Sequence, residues 1–451
     1  MRVLMLMLVL ALAAPYGQAK PNVLFIAVDD LNDWIGALDG YPGVKTPHID
    51  RLAKRGVLFA RAYVAAPACN PSRVALLTGV RPSTSGVYHN HQPWRPALPD
   101  VVTLPQLFMA HGYHVVGGGK IYHGRYPDEA SWHDYLERGA DPRPSREVLE
   151  DPHSRAGGIV WGKLEASDGE MDDYRVTSWA VDYLQRKHDK PFFLACGIFR
   201  PHMPWQVPAK YYDLYPLQQI RLPEVPEDDL EDVPAAGVRM ARPKHDHATI
   251  LKTENWRHAV QAYLASISFA DAQVGRLLDA LDAGPNRENT IIILWGDHGW
   301  HLGEKHHWRK FSLWEEATRA PLIFVVPGVT EPGGVCRRAV DFMNIYPTLA
   351  ALCGLPVGRR LEGVSMQSLL KDPEAAWGHP ALTTHGRNNH GVRSDRWRYI
   401  RYADGSEELY DHQADPMEWK NLADDPRYAG AKRSLAAWLP RVNAPGVPSQ
   451  E

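Results

Sequence analysis

NVLFIAVDD, residues 22–30, is an unbroken apolar run that stops at two carboxylates. A strand buried on both faces reads this way, and in a parallel sheet function gathers at the carboxyl ends of the strands. The pattern returns in HVVGGGK (114–120), PFFLACGIF (191–199), TIIILWGDHG (290–299) and APLIFVVPG (320–328). Between them lie helical segments: Pro47 through HIDRLAKRG to Gly56, TLPQLFMAHG, DDYRVTSWAVDYLQRK and HAVQAYLASISFADAQVGRLLDALDAG. In the last, Val260, Leu264, Ile267, Ala270 and Val274 keep a helical period. The alternation predicts an α/β fold, a large, mostly parallel sheet covered by helices on both faces.

Two stretches, 139–170 and 207–253, are rich in Pro, Asp, Glu and Gly and interrupt the pattern; LPEVPEDDLEDVP reads as a solvated loop. Past Gly354-Leu355-Pro356 the chain breaks into short strand-like pieces, with a hairpin turn expected at Asp404-Gly405. This predicts a catalytic domain over 20–355 and a smaller α+β subdomain over 356–451, an antiparallel sheet followed by a helix near 429–439. Residues 1–19, MRVLMLMLVLALAAPYGQA, carry one Arg before an apolar run and small residues near a cut, so a secretory leader and an exported protein are expected. No later segment has the length of a membrane helix.

A net charge of −3 gives no general attraction for nucleic acid, so anion recognition must be local. The 4 cysteines are too few for a disulfide scaffold. Cys336 and Cys353 could pair, although Cys353, in LAALCGL, reads as a buried thiol.

Asp29-Asp30 alone would suit a solvated turn. A second strand ending in LWGDHGW, with Asp297 and His298, changes that, because parallel strands bring their carboxyl ends to one edge. Three carboxylates and one imidazole suit a divalent ion, and the oxygen majority favours Ca²⁺ or Mg²⁺ over zinc. PACNPSRVALLTG (67–79) places Cys69 where the chain enters a helix expected over 72–78, a setting that lowers a thiol's pKa and attracts anions. Arg73 adds a fork matched to an oxyanion. Lys120, His123, His202 and Lys310 each follow a strand end, and together they describe a site for a sulfated or doubly acidic group.

With these residues in view, the chain resembles the type I sulfatases of the alkaline phosphatase superfamily, most closely the iduronate-2-sulfatase branch. The resemblance rests on VDDLN (28–32), CNPSR (69–73), GKIYH (119–123), RPHMPW (200–205), GDHGWHLGE (296–304), WRK (308–310) and ELYD…DPMEWKNL, and runs from about Asn22 to Leu422. It implies a mixed sheet of the alkaline phosphatase type. It also implies that a formylglycine-generating enzyme, reading Cys-x-Pro-x-Arg, converts Cys69 to formylglycine (3-oxoalanine). One hydroxyl of the hydrated aldehyde would attack sulfur and expel the sugar alcohol; the other would lose its proton as sulfate leaves.

By the same resemblance Asp29, Asp30, Asp297 and His298 bind one Ca²⁺ with the modified Cys69, and Arg73 holds the diol. Lys120 and Lys310 grip sulfate oxygens, His123 serves as base and His202 as acid, with these two roles exchangeable. Trp205, Trp300, His306, Arg309, His385, Arg387 and His390 are expected to rim the pocket, Arg387 or Arg309 pairing with a uronate carboxylate. The expected substrate is a sulfated oligosaccharide bearing a 2-sulfated uronic acid. The alternatives are another sulfated sugar position, a phosphodiesterase or phosphonate hydrolase of the superfamily, and a silent glycan-binding homologue.

Overall fold

The computed structural model describes residues 20–449; the expected leader lies outside the described residues. Its main sheet has eight strands: β1 (Asn22–Val28), β2 (Val57–Phe59), β3 (His114–Gly119), β4 (Asp134–Leu136), β5 (Phe192–Ile198), β6 (Thr290–Gly296), β7 (Leu322–Val325) and β8 (Gly334–Cys336). They lie in the order β8-β2-β7-β6-β1-β5-β3-β4. All run parallel except β7, which is antiparallel to both β6 and β2. An apolar run carries no sign of its direction, so APLIFVVPG could show β7 as a strand but not as the reversed one.

Side-chain alternation divides β1 between two cores. Leu24, Ile26 and Val28 pack towards α1 (Pro47–Ala53), α4 (Asp172–Leu184) and α5 (Trp256–Ala283). Val23, Phe25 and Ala27 pack towards α2 (Cys69–Thr78), α3 (Leu104–Ala110) and α6 (Ile345–Leu352). This second core continues past residue 356 to include Met366, Leu369 and Leu370. β1 is central, with Val28 opposite Gly296 on one side and Ile198 on the other. Three strands therefore end level, and the loops after them start from one edge.

The second sheet is antiparallel: β9 (Ala381–Thr384), β10 (His390–Arg393), β11 (Trp397–Arg401) and β12 (Glu407–Asp411). The turn before β12 holds Gly405 at φ +86°, where a residue without Cβ is favoured. α7 (Ala429–Ala436) covers this sheet, Leu435 joining Leu382, Val392, Tyr399 and Leu409. The two sheets are tied through Glu315, which receives Tyr63 Oη (2.8 Å), Arg393 Nε (3.2 Å) and Arg398 Nη2. All four cysteines are free and buried, so Cys336 and Cys353 do not pair. Among the described residues no helix is long and apolar enough to cross a membrane.

Candidate active site

The site lies where β1, β6, β3 and β5 deliver their carboxyl ends. Asp30 leaves β1 at φ +59°, a left-handed conformation that aspartate tolerates better than most residues. Its N–H donates to Asp297 Oδ1 (2.9 Å) and its carbonyl accepts Tyr263 Oη (2.8 Å). At the end of β3, Gly119 lies at φ +79°, and a Cβ there would come within 1.9 Å of the Gly197 carbonyl oxygen. That close approach lets Lys120 N–H bond Gly197 O at 3.1 Å and aims the lysine inward.

α2 begins at Cys69, three residues before the expected start at Ser72. Cys69 Sγ is buried, 3.1 Å from Lys310 Nζ, 3.3 Å from His298 Nε2, 3.7 Å from Lys120 Nζ and 3.8 Å from Asp30 Oδ1. The expected low-pKa thiolate is not what the structure holds: burial pushes the Cys69 thiol up to about 12, although Lys120 and Lys310 pull the other way. Asn70 anchors the loop in front of α2. Its N–H donates to Asn90 Oδ1 (2.9 Å), and its amide donates to the carbonyls of His89 (3.1 Å) and Gln92 (2.8 Å). The C-terminal segment straps this loop from outside, with Tyr88 Oη donating to Ala444 O (2.8 Å) and Gln92 Nε2 to Val447 O (2.6 Å).

Arg73 is fully buried and spans two strand ends, Nε to Asp297 Oδ2 (2.9 Å) and Nη2 to Asp29 Oδ1 (2.8 Å). Its Nη1 donates to the carbonyls of Lys120 and Ile121 (3.0 Å to the latter). The guanidinium is thus occupied in drawing the acids together, and its donors go to these partners and not to residue 69. Asp29 Oδ2 receives Lys120, and Lys310 Nζ lies 2.7 Å from Asp30 Oδ1. Burial opposes ionisation of Asp29, yet Lys120 and Arg73 hold its carboxyl well below the usual range. Three carboxylates face three bases, so 3 − 3 leaves the ring neutral before any cation or anion enters.

Asp30, Cys69, Asp297 and His298 each offer a ligand atom within 4.8 Å of the others. The residues fit a divalent cation on two grounds. Asp30 Oδ2 is buried without a hydrogen-bond partner, an expensive state for a carboxylate oxygen unless something positive is meant to meet it. His298 Nδ1 lies 3.0 Å from Gly299 O, which fixes the proton there and leaves the Nε2 lone pair towards the cluster. Asp29 stands slightly apart, grouped with Asp30 and His202.

His123 and His202 line, with Lys120, Tyr122 and Phe199, a cavity of about 710 Å³ on the Lys120 side. His202 Nδ1 is 2.6 Å from Met203 O, so Nε2 faces Asp30 Oδ2 at 3.9 Å. Burial pushes both imidazoles down, His123 to about 4, so both are neutral at pH 7. Asp30 and Asp29, already beside His202, work against that push.

Arg309 and His385 line a second cavity, of about 520 Å³, on the Lys310 side. Three other expected rim residues are corrected: Trp205, Trp300 and His390 are buried and expose no rim surface. Trp205 and Trp300 pack together and Trp205 on Tyr263, with Lys310 Nζ 5.3 Å from the Trp300 ring, so they form the floor. His390 Nδ1 lies 3.0 Å from Thr384 Oγ1 inside the second sheet. His306 turns to Pro226 O (3.0 Å) and His247 (3.4 Å), and Arg387 is exposed and holds Asn443 O (3.1 Å). Sequence reasoning missed Asn70, Tyr263 and Ser72, whose hydroxyl reaches Asp297 O at 2.5 Å. A tyrosine on the inward face of α5 among small residues was the available signal.

Comparison with known proteins agrees with this geometry. The sulfatase family model matches residues 21–355, and the model for the C-terminal region of N-sulphoglucosamine sulphohydrolase matches residues 303–444. The chain therefore belongs to the sulfatase family and is a sulfuric ester hydrolase. Among its relatives, a sulfatase of Formosa agariphila is 40% identical over 94% of this chain and 87% of that protein. Iduronate 2-sulfatase of Homo sapiens is 34% identical over 75% of this chain and 70% of that protein. A 2-O GAG sulfatase structure aligns with a TM-score of 0.73 at 25% identity, covering 96% of this chain and 98% of the other. A phosphonate monoester hydrolase of Agrobacterium radiobacter aligns at 0.77 with 23% identity over 93% and 94%, a likeness of fold alone.

Proposed function

We propose that this is an exported, calcium-dependent sulfatase that removes sulfate from a sulfated glycan, acting from the chain end on a 2-O-sulfated uronic acid. The observation that carries the reading is the position of the Cys69 side chain, ringed by Lys310, His298, Lys120 and Asp30. Likeness to iduronate 2-sulfatase across three quarters of the chain supports the sugar and the position.

In this reading a formylglycine-generating enzyme converts Cys69, and the hydrated aldehyde supplies the attacking hydroxyl in place of the thiol. Ca²⁺, held by Asp30, Asp297, His298 and residue 69 with Asp29 beside them, supplies Lewis-acid polarisation and two positive charges to a neutral ring. Lys120 and Lys310 hold the sulfate oxygens and offset charge as it develops. Arg73 keeps Asp29 and Asp297 at the spacing the ion needs. His202, protonated at Nε2, gives the proton to the departing sugar oxygen, and His123 removes the one that releases sulfate. The leader MRVLMLMLVLALAAPYGQA supports export.

Sulfate release from 2-sulfated uronate disaccharides tests the reading, with Cys69→Ala as the comparison. We expect the substitution to remove at least about 10⁴-fold of kcat/KM, on the order of 5.5 kcal/mol. The peptide holding residue 69, taken from the native host, should weigh about 18 Da less than its thiol form. An intact thiol in active enzyme would overturn the nucleophile. Activity confined to 6-sulfated hexosamines would overturn the substrate.

A further inference from the structure

The cavity on the Lys310 side has an unusual wall. Arg239, Arg242, His245, Arg309 and His385 line it, three guanidinium groups against one lining carboxylate, Asp246. That carboxylate is already held by Arg309 Nε at 2.6 Å. Arg239 Nη2 reaches outward to Asp404 (3.3 Å). Among the described residues Arg242 makes no ion pair with a carboxylate; its Nη2 lies 3.5 Å from His245 Nδ1. His385 Nδ1 is buried with no hydrogen-bond partner.

The backbone is held unusually at the same place. Arg242 caps the helix Ala235–Ala241 at φ +50°, where glycine is the common residue, and Arg309 and Phe311 lie at φ +80° and +78° on either side of Lys310. Side chains kept in this region mark positions that the surrounding structure constrains, commonly at ligand sites. Phe311 N–H donates to Pro67 O (3.1 Å), so this wall is joined directly to the loop that leads into Cys69.

We propose that this cavity is an anion subsite for a second acidic group of the glycan, a carboxylate or a sulfate, with Arg242 and Arg309 as its main contacts. The proposal rests on the sulfatase reading and deepens it: it names the residues that select a substrate by an oxyanion besides the sulfate that is cleaved, the uronate's own carboxylate or a sulfate on the neighbouring sugar. A cavity of this size accepts such a group with part of its sugar ring, and a planar guanidinium matches either oxyanion.

The test measures kcat/KM on the matured full-length enzyme for two substrate pairs. One is a 2-sulfated uronate and its methyl ester; the other is a disaccharide with and without a sulfate on the neighbouring sugar. Wild type should prefer the more acidic member of at least one pair about tenfold, and the pair that responds identifies the group. Arg242→Gln should cut that ratio several-fold, and Asp246→Asn, which frees Arg309, should raise it. A folding defect lowers both members of a pair alike. A wild-type ratio near one in both pairs, or a ratio untouched by Arg242→Gln and Asp246→Asn, overturns the subsite and leaves the sulfatase reading standing. No sulfate release from any member overturns the sulfatase reading itself.

Discussion

Two of the buried charge clusters among the described residues differ in how completely their atoms are used. The clamp between the sheets joins Glu315, Glu418, His412, Arg393 and Arg398. Glu315 Oε1 accepts from Tyr63 and Oε2 from both arginines, while Glu418 Oε1 accepts from His412 (2.8 Å) and Oε2 from the Glu315 N–H (2.9 Å). Glu315, His412 and Glu418 also stand close enough to suggest a metal. Arginine already fills the place of a cation there. The ring around Cys69 has the same balance of acids and bases but leaves Asp30 Oδ2 and His123 Nδ1 without partners, and a cavity opens on each side of it. In the clamp Arg398 Nε is also without a hydrogen bond, but it lies against Glu418 Oε1, so what separates the two clusters is a carboxylate oxygen left without a donor.

The sharpest way to break the comparison is to open the clamp. Arg398→Met leaves Glu315 and Glu418 short of a buried partner, and we expect a loss of about 3–5 kcal/mol, read by urea unfolding. If instead stability held, the cluster would not be a clamp. Removing a charge from the other cluster should cost the fold less than opening the clamp and should injure turnover more. Asp30→Asn is expected to lower kcat by about 10²–10³-fold. A chelator should lower wild-type activity and melting temperature together, with added Ca²⁺ restoring both; in Asp30→Asn the added ion should matter far less. A melting temperature in wild type indifferent to chelator and Ca²⁺ would break the ion assignment.

A separate effect concerns acid. His247 and His390 are buried, and burial pushes each down to about 4 from an ordinary 6.5. The unfolded chain then binds more protons than the fold between those values. Stability is full above pH 6.5 and falls towards pH 4, by up to about 1.4 kcal/mol per pH unit for each group. Followed from pH 7.5 to 4.5, the melting temperature of His247→Gln should lose less, relative to its value at pH 7.5, than that of wild type. Equal pH dependence in the two proteins would contradict it.

Much of this was legible in the chain. NVLFIAVDD and TIIILWGDHG end in the acids that meet, because parallel neighbours of equal length must bring their ends level. Other parts depended on contacts far apart in sequence. Nothing in WGDHGW says that Trp300 lies under Lys310 and not beside a substrate. A stretch as irregular as 207–253 gives no period to follow, so Arg242 and Asp246 could be placed only by the fold. Arg73 was expected to hold the diol at residue 69, and its partners are instead the acids at two strand ends.

The strap of Ala444 and Val447 over the loop at Tyr88 and Gln92 bears on timing. The surroundings of Cys69 draw on β6, on the segment at Lys310 and on Ala444 and Val447, all of them made after it. Until those are in place Cys-Asn-Pro-Ser-Arg is an open peptide, and in the finished fold Cys69 is 1% exposed. Any reagent or enzyme that had to reach its sulfur would do so before the fold closed.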